Sequence, residues 1–125
     1  MDAAQALAEL TEISSQIVAA VIVDDAGTVL GATAGDGRGL AENGRALLER
    51  GANARSGREP TQLEAATGAG SVFVLREGGR TIVATTAPEP TVGLVFYDLK
   101  SCLRALEPPK PEFARPKKAE ADDAA

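Results

Sequence analysis

Residues Ile17 to Val23, Ile-Val-Ala-Ala-Val-Ile-Val, are apolar at every position, and the run is closed by Asp24-Asp25-Ala26-Gly27. Successive side chains of a strand point to opposite faces, so a strand that is apolar throughout has to be covered on both. The run therefore predicts a central strand. At seven residues it is far too short to span a membrane, which takes about 20. Asp followed by Gly at a left-handed position is the chemistry of a short hairpin loop, leading here into a second strand over Val29–Thr33.

The remaining elements follow from periodicity and punctuation. Ala3, Ala6, Leu7, Leu10, Ile13 and then Ile17 recur at three- and four-residue steps, opposite Gln5, Glu9 and Glu12, which predicts an amphipathic helix over 3–15. Gly35, Gly37 and Gly39 surround Asp36, a candidate N-cap for a second helix over Leu40–Asn53. After Pro60 come strands over Gln62–Thr67, Ser71–Glu77 and Arg80–Thr86, separated by Gly68-Ala69-Gly70 and by the hairpin pair Gly78-Gly79. Pro88 and Pro90 end the sheet. A third helix over Val92–Leu106 sets Val92, Val95, Phe96, Leu99, Cys102, Leu103 and Leu106 on one stripe. The fold class expected is α+β, a five-stranded antiparallel sheet with three helices packed on it.

One domain is expected over 1–107. From Pro108 onward the chain holds four of the seven prolines and a single large apolar residue, Phe113. Its charges balance, with Lys110, Arg115, Lys117 and Lys118 against Glu112, Glu120, Asp122 and Asp123. Such a Pro/Lys/Ala-rich tail buries too little apolar surface to offset its ordering entropy, so 108–125 is expected to be disordered. Pro108 and Pro111 form a P-x-x-P that serves either as a polyproline ligand or simply as part of a solvated extension.

Charge and residue usage exclude several functions. The net charge of −5 opposes general nucleic-acid binding, which needs cations against phosphate. The chain has no His, the commonest general base and zinc ligand. Its first basic residue is Arg38, so no basic n-region of a secretory signal is present, and a single cysteine, Cys102, offers no disulfide framework. A cytoplasmic protein without membrane insertion is expected. The first Lys is Lys100, which excludes a phosphate-cradling P-loop. Gly35-x-Gly37-x-Gly39 lies between a hairpin and a helix rather than in a βαβ unit, and reads as a turn with a helix cap. Asp24-Asp25 is turn chemistry without an EF-hand loop. Cys102 sits on an apolar stripe with no base to activate it, so it is expected to be a buried packing residue. No catalytic, cofactor or metal residue is assigned.

The second helix carries the functional signal. Residues 1–37 hold six carboxylates and no cation, whereas 38–58 hold Arg38, Arg45, Arg50, Arg55 and Arg58 against Glu42 and Glu49. The domain is thus electrically lopsided, which steers a partner of complementary charge; a solvated face laced by Glu–Arg pairs is the alternative. The other side of the helix is Leu40, Gly44, Leu47, Leu48 and Gly51. Each interior Gly costs about 1 kcal/mol relative to Ala, tolerable where another backbone comes close. That backbone belongs either to the chain's own sheet or to the same helix of a second copy. The short strand with Leu63, Glu64 and Ala65, placed at a sheet edge, would pair with its own symmetry mate.

This order of elements resembles the roadblock/dynein light chain family, including bacterial members that act with Ras-like GTPases. The resemblance runs through Leu7, Leu10 and Ile13, then Val18 to Leu30 with its D-x-x-G turn, Val72-Phe73-Val74-Leu75, Ile82-Val83-Ala84, and Val92-Gly93-Leu94 opening the last helix. It departs at Ala26, where an acidic residue often precedes the Gly, and in the Gly- and Arg-rich second helix. The resemblance implies a sandwich of the roadblock, longin and profilin kind and a dimer through the second helix and third strand. It implies a non-catalytic scaffold that binds a small GTPase, without cofactor, and modulates or places it. In bacterial relatives such dimers stimulate GTP hydrolysis by reshaping the GTPase. The interface expected is Leu40, Gly44, Leu47, Leu48, Gly51, Leu63, Glu64 and Ala65, with Glu42, Arg45, Glu49 and Arg50 meeting the partner. Two other readings stand beside it: a profilin-like sensory module, which needs a cavity lined by polar groups, and an adaptor in a signalling or motor complex without GTPase contact.

Overall fold

The structure, a computed structural model, describes residues 1–54 and 61–107. The disorder expected of 108–125, the Pro108–Pro111 motif, Arg55 and Arg58 lie outside the described residues. The elements in chain order are α1 (Ala3–Ile13), β1 (Ile17–Asp24), β2 (Val29–Ala32), α2 (Arg38–Ala54), β3 (Gln62–Thr67), β4 (Gly70–Glu77), β5 (Arg80–Thr86) and α3 (Val92–Arg104). The strands form one antiparallel sheet in the order β2-β1-β5-β4-β3. The expected fold class is the observed one.

β1 lies inside the sheet, between β2 and β5. Its alternation divides the core in two. Ala20 and Ile22 join Phe73, Leu75, Ile82 and Ala84 beneath α1 and α3. Val21 and Val23 join Val74, Val83 and Leu48 beneath α2. Val21 and Ile22, consecutive in sequence and facing opposite ways, are both fully buried. Burial of each such side chain contributes roughly 1.5–3 kcal/mol, so Ala20 to Val23 are accounted for on both faces, whereas Val18, near the start of the run and expected to be covered, is 67% exposed.

Local chemistry sets the ends of the elements. Asp2 and Gln5 form a reciprocal capping box at the start of α1, the Asp2 carboxylate accepting from the Gln5 amide at 2.8 Å. The helix stops at Ile13, two residues short of the predicted end, and leaves through an extended Ser14. Ile13 accordingly misses the sheet and is 72% exposed, although periodicity put it on the buried stripe. Asp24 Oδ1 accepts from the amides of Ala26 and Thr28, both at 2.9 Å, which is the turn role expected of it. The β4–β5 hairpin turns on Gly78 and Gly79 at φ +65° and +79°, the pair of positive values a type I′ turn requires. α2 begins two residues earlier than predicted, so Asp36 precedes the cap position. Its carboxylate still accepts from the Arg38 amide at 3.0 Å.

α3 packs Val95, Leu99, Cys102 and Leu103 inward, and Phe96 meets Phe73 edge-on with ring centroids 5.0 Å apart. Val92, predicted on the same stripe, is 40% exposed at the first turn. Arg104 grips Glu77 through two hydrogen bonds, at 2.6 and 3.2 Å, tying the end of α3 to the β4–β5 hairpin. This contact holds the Glu77 carboxyl below its ordinary range. α1 and α3 run antiparallel side by side. The Glu107 amide donates to the Met1 carbonyl at one end, and the Thr91 amide to Gln16 Oε1 at the other.

Within the chain, Gly44 of α2 packs on the Val83 side chain of the sheet. A methyl added at Gly44 would overlap the branched side chain of buried Val83. Gly44→Ala gains about 1 kcal/mol of helix propensity but overpacks a rigid β-branched neighbour. A net loss of roughly 1–2 kcal/mol is expected in urea unfolding, recovered in part when Val83→Ala is added.

Candidate functional site

The features that sequence assigned to function converge on α2 and on β3. Glu42, Arg45, Glu49 and Arg50 are all exposed. At about 100° per residue, Arg45 and Arg50 are roughly 140° apart around the helix. Glu42, Arg45 and Glu49 lie on one flank, where Arg45 pairs with Glu49 at 3.8 Å, and Arg50 stands on the other. The four charges are thus split astride the helix, three on one flank and Arg50 on the other. Exposed pairs of this kind contribute only about 0–1 kcal/mol, so an approaching partner can exchange them at little cost.

The apolar residues assigned to a seam separate as well. Gly44 and Leu48 are buried against the sheet of their own chain. Leu40, Leu47 and Gly51 are half-buried, and form the part of that set still reachable from outside. β3 lies at the sheet edge, hydrogen-bonded to β4, and among the described residues no strand pairs with its outer side. Leu63 packs toward α2 beneath the same core cluster, and Ala65, two residues on, shares its face. Glu64 alternates to the opposite face, where Ser71 Oγ donates to its carboxylate at 3.1 Å. Its side chain therefore cannot join a seam made with α2. Only its backbone can.

The flank of α2 that carries Glu42 and Arg45 forms one wall of a cleft of about 970 Å³, opposite the β1–β2 hairpin. Its apolar floor is Val23, Val29, Leu48 and Val83, and its rim bears Asp24, Asp25, Arg38 and Arg76. Arg38 pairs with Asp36 at 3.5 Å and Arg76 with Asp25 at 3.8 Å. Sequence reasoning singled out Arg38, Glu42 and Arg45 for their charge but not Arg76. Arg76 comes from β4, and the strand order alone brings it to Asp25. Asp24 and Asp25 read as turn residues, which they also are. Among the described residues no three carboxylate or thiol side chains cluster to hold a metal ion, and no helix is long and apolar enough to cross a membrane.

Compared with known proteins, the chain matches no family model. No curated protein matches its sequence. Its fold does match solved structures. One, a Roadblock/LC7 domain from Streptomyces avermitilis, has a TM-score of 0.65 and 21% identity, covering 82% of this chain and 95% of the other. A second Roadblock/LC7 domain structure from that organism has a TM-score of 0.71 and 17% identity, covering 84% and 94%. Myxococcus xanthus MglB has a TM-score of 0.56 and 18% identity over 75% of this chain and 82% of its own. The fold implied by the sequence resemblance is therefore the fold observed.

Cys102 lies apart from the cleft, on α3, and is buried as expected. Burial, reinforced by the Glu9 carboxylate, pushes its thiol up from 9.0 to about 11. The neutral thiol is the form the fold favours, so stability from this group is full below the unfolded value and declines as pH rises toward 11. At pH 8 the buried thiol holds far less thiolate, the attacking form, than a free cysteine does. Alkylation should be slower by on the order of a hundredfold in the folded chain, and a rate equal to that of the unfolded chain would contradict the burial.

Proposed function

We propose that the protein is a non-catalytic homodimeric scaffold that binds a Ras-like small GTPase and modulates its nucleotide cycle or its location. The observation that carries this reading is the edge position of β3 beside the half-buried flank of α2. A second copy related by a two-fold axis would pair β3 with β3 and set the Leu40, Leu47 and Gly51 flanks together, extending the sheet across both chains. Charged flanks of the two α2 helices then face one way and form a docking floor wider than either chain supplies. Fold likeness to Roadblock/LC7 domains and to MglB supports the reading, as does the family resemblance in sequence.

The chemistry of α2 fits recognition rather than catalysis. Its exposed groups are guanidinium and carboxylate side chains, Arg45 pairing with Glu49, suited to steering a charged surface and fixing its register. A partner changes a GTPase's rate by moving its loops or by supplying a cation in trans; the first is proposed here, with Arg45 and Arg50, on opposite flanks of the helix, as the contacting residues.

A second reading rests on the cleft. Its volume of about 970 Å³ and its charged rim meet the requirement of a ligand-binding sensory module for a polar-lined cavity. A co-purified small molecule in the native mass spectrum, lost on Arg38→Ala, would favour that reading over a protein-docking floor.

Light scattering at tens of micromolar is expected to give the mass of two chains, and Leu63→Asp with Ala65→Lys on β3 to give one. A monomer from the unaltered chain would overturn the dimer. Arg45→Glu with Arg50→Glu should weaken capture of a nucleotide-loaded GTPase by on the order of tenfold at low salt while leaving the dimer intact. Equal capture by both forms would overturn this docking face.

A further inference from the structure

The layer formed by α1 and α3 covers the face of the sheet opposite α2, and where the two helices meet its charge is of one sign. α1 has no cation, and Glu9 and Glu12 stand on its exposed side. The two cations of α3 are turned elsewhere: Arg104 grips Glu77 of the β4–β5 hairpin, and Lys100 acts on the same carboxylate. Around the helix, Arg104 and Lys100 lie roughly 120° and 160° from Asp98, the acid on the flank of α3 that faces α1.

Between the helices runs a groove with a pocket of about 150 Å³. Leu10 and Cys102 form its floor, with Glu9 and Ile13 on one wall and Tyr97 and Asp98 on the other. Ile13 and Tyr97, at 72% and 68%, are the most exposed large apolar side chains of the described residues. Leu94, one turn before Asp98 on the same flank, is 49% exposed and extends the apolar line. Glu9 is near enough to Cys102 to raise its thiol, which places the carboxylate over the groove.

The walls also select the form of the occupant. The backbone groups of α1 and α3 are paired within the helices, so an extended peptide finds no ladder here, whereas a helix arrives with its own backbone satisfied. Two helices side by side leave a trough that takes a third at an interaxial distance of about 8–10 Å. We propose that the α1–α3 groove docks a basic amphipathic helix of a partner protein, its apolar stripe on Ile13, Leu94 and Tyr97 and its cations against Glu9, Glu12 and Asp98. The same carboxylates repel phosphate, which disfavours nucleic acid and anionic lipid as occupants. Because the groove lies on the layer opposite α2, one chain can hold this helix and a body on α2 together, and neither reading depends on the other.

Tyr97 is the only tyrosine, and the chain has no tryptophan, so tyrosine emission reports on this groove alone. The probe is a synthetic helix of Leu, Lys and Ala, about four turns long, with Leu at three- and four-residue steps. Its counterpart carries Glu in place of Lys. The Leu/Lys peptide is expected to change Tyr97 emission saturably, more weakly as salt rises, and the Leu/Glu peptide to leave it unchanged. Glu9→Lys with Asp98→Lys should weaken the first peptide by on the order of tenfold at low salt and admit the second. Ile13→Ser, which alters no charge and removes an exposed side chain, should weaken the Leu/Lys peptide several-fold with an unchanged midpoint of urea unfolding. Equal response to both peptides would overturn the proposal. So would a double variant that loses the first peptide without gaining the second, since net charge alone would then account for the attraction. Tyr97 emission that changes on dilution of the chain without peptide would assign the groove to a second copy and overturn it too.

Discussion

The structure depends on one demand: a strand with no polar side has to be enclosed above and below. β1 meets it by lying inside the sheet with Val21 and Val23 under α2 and Ala20 and Ile22 under α1 and α3. The other elements are arranged around that enclosure. α2 is drawn close enough to the sheet that Gly44 rests on Val83, and the α1–α3 pair is held side by side by a backbone bond at one end and a bond to the Gln16 side chain at the other. The middle of the sheet is thereby sealed, and the surfaces left for recognition are its edges and the outer flanks of the helices.

Such an arrangement explains why the interesting surface is made of charges that contribute little to stability. The two faces of the sheet are committed to packing, and the inward side of α2 with them. What remains on α2 is a pair of charged flanks, and what remains on the sheet is the floor of the cleft and the edge backbones of β2 and β3. Neither the flanks nor the edges contribute much to the isolated chain, so both are available to association without loss to the fold. The separation of Arg45 from Arg50 around the helix means that a body resting on α2 touches both only by straddling it.

Most of the architecture was legible in the sequence because its signals are local. The Ile17–Val23 run, the Gly78-Gly79 pair and the three- and four-residue steps of α1 and α3 each report a short-range requirement, and each element appeared where they placed it. Errors fell where the outcome depends on what a residue meets. Ile13 and Val92 share the period of buried neighbours, but they stand on terminal turns that miss the sheet. Strand alternation sets Glu64 on the face opposite Leu63 and Ala65, a separation that position in sequence does not show. The cleft was the least legible feature. Arg76 meets Asp25 only because β1 and β4 both flank β5, and no spacing along the chain encodes that neighbourhood.

The bond between Glu107 and Met1 brings the two ends of the packed domain to a single corner, on the layer opposite α2. A short peptide bridge could join them without crossing the sheet, leaving new termini to be opened elsewhere, at the exposed Gly68-Ala69 turn for instance, as in a circular permutant. Equally, a reporter or surface linker attached at that corner would hang behind the sheet, with the α2 side left facing open solvent.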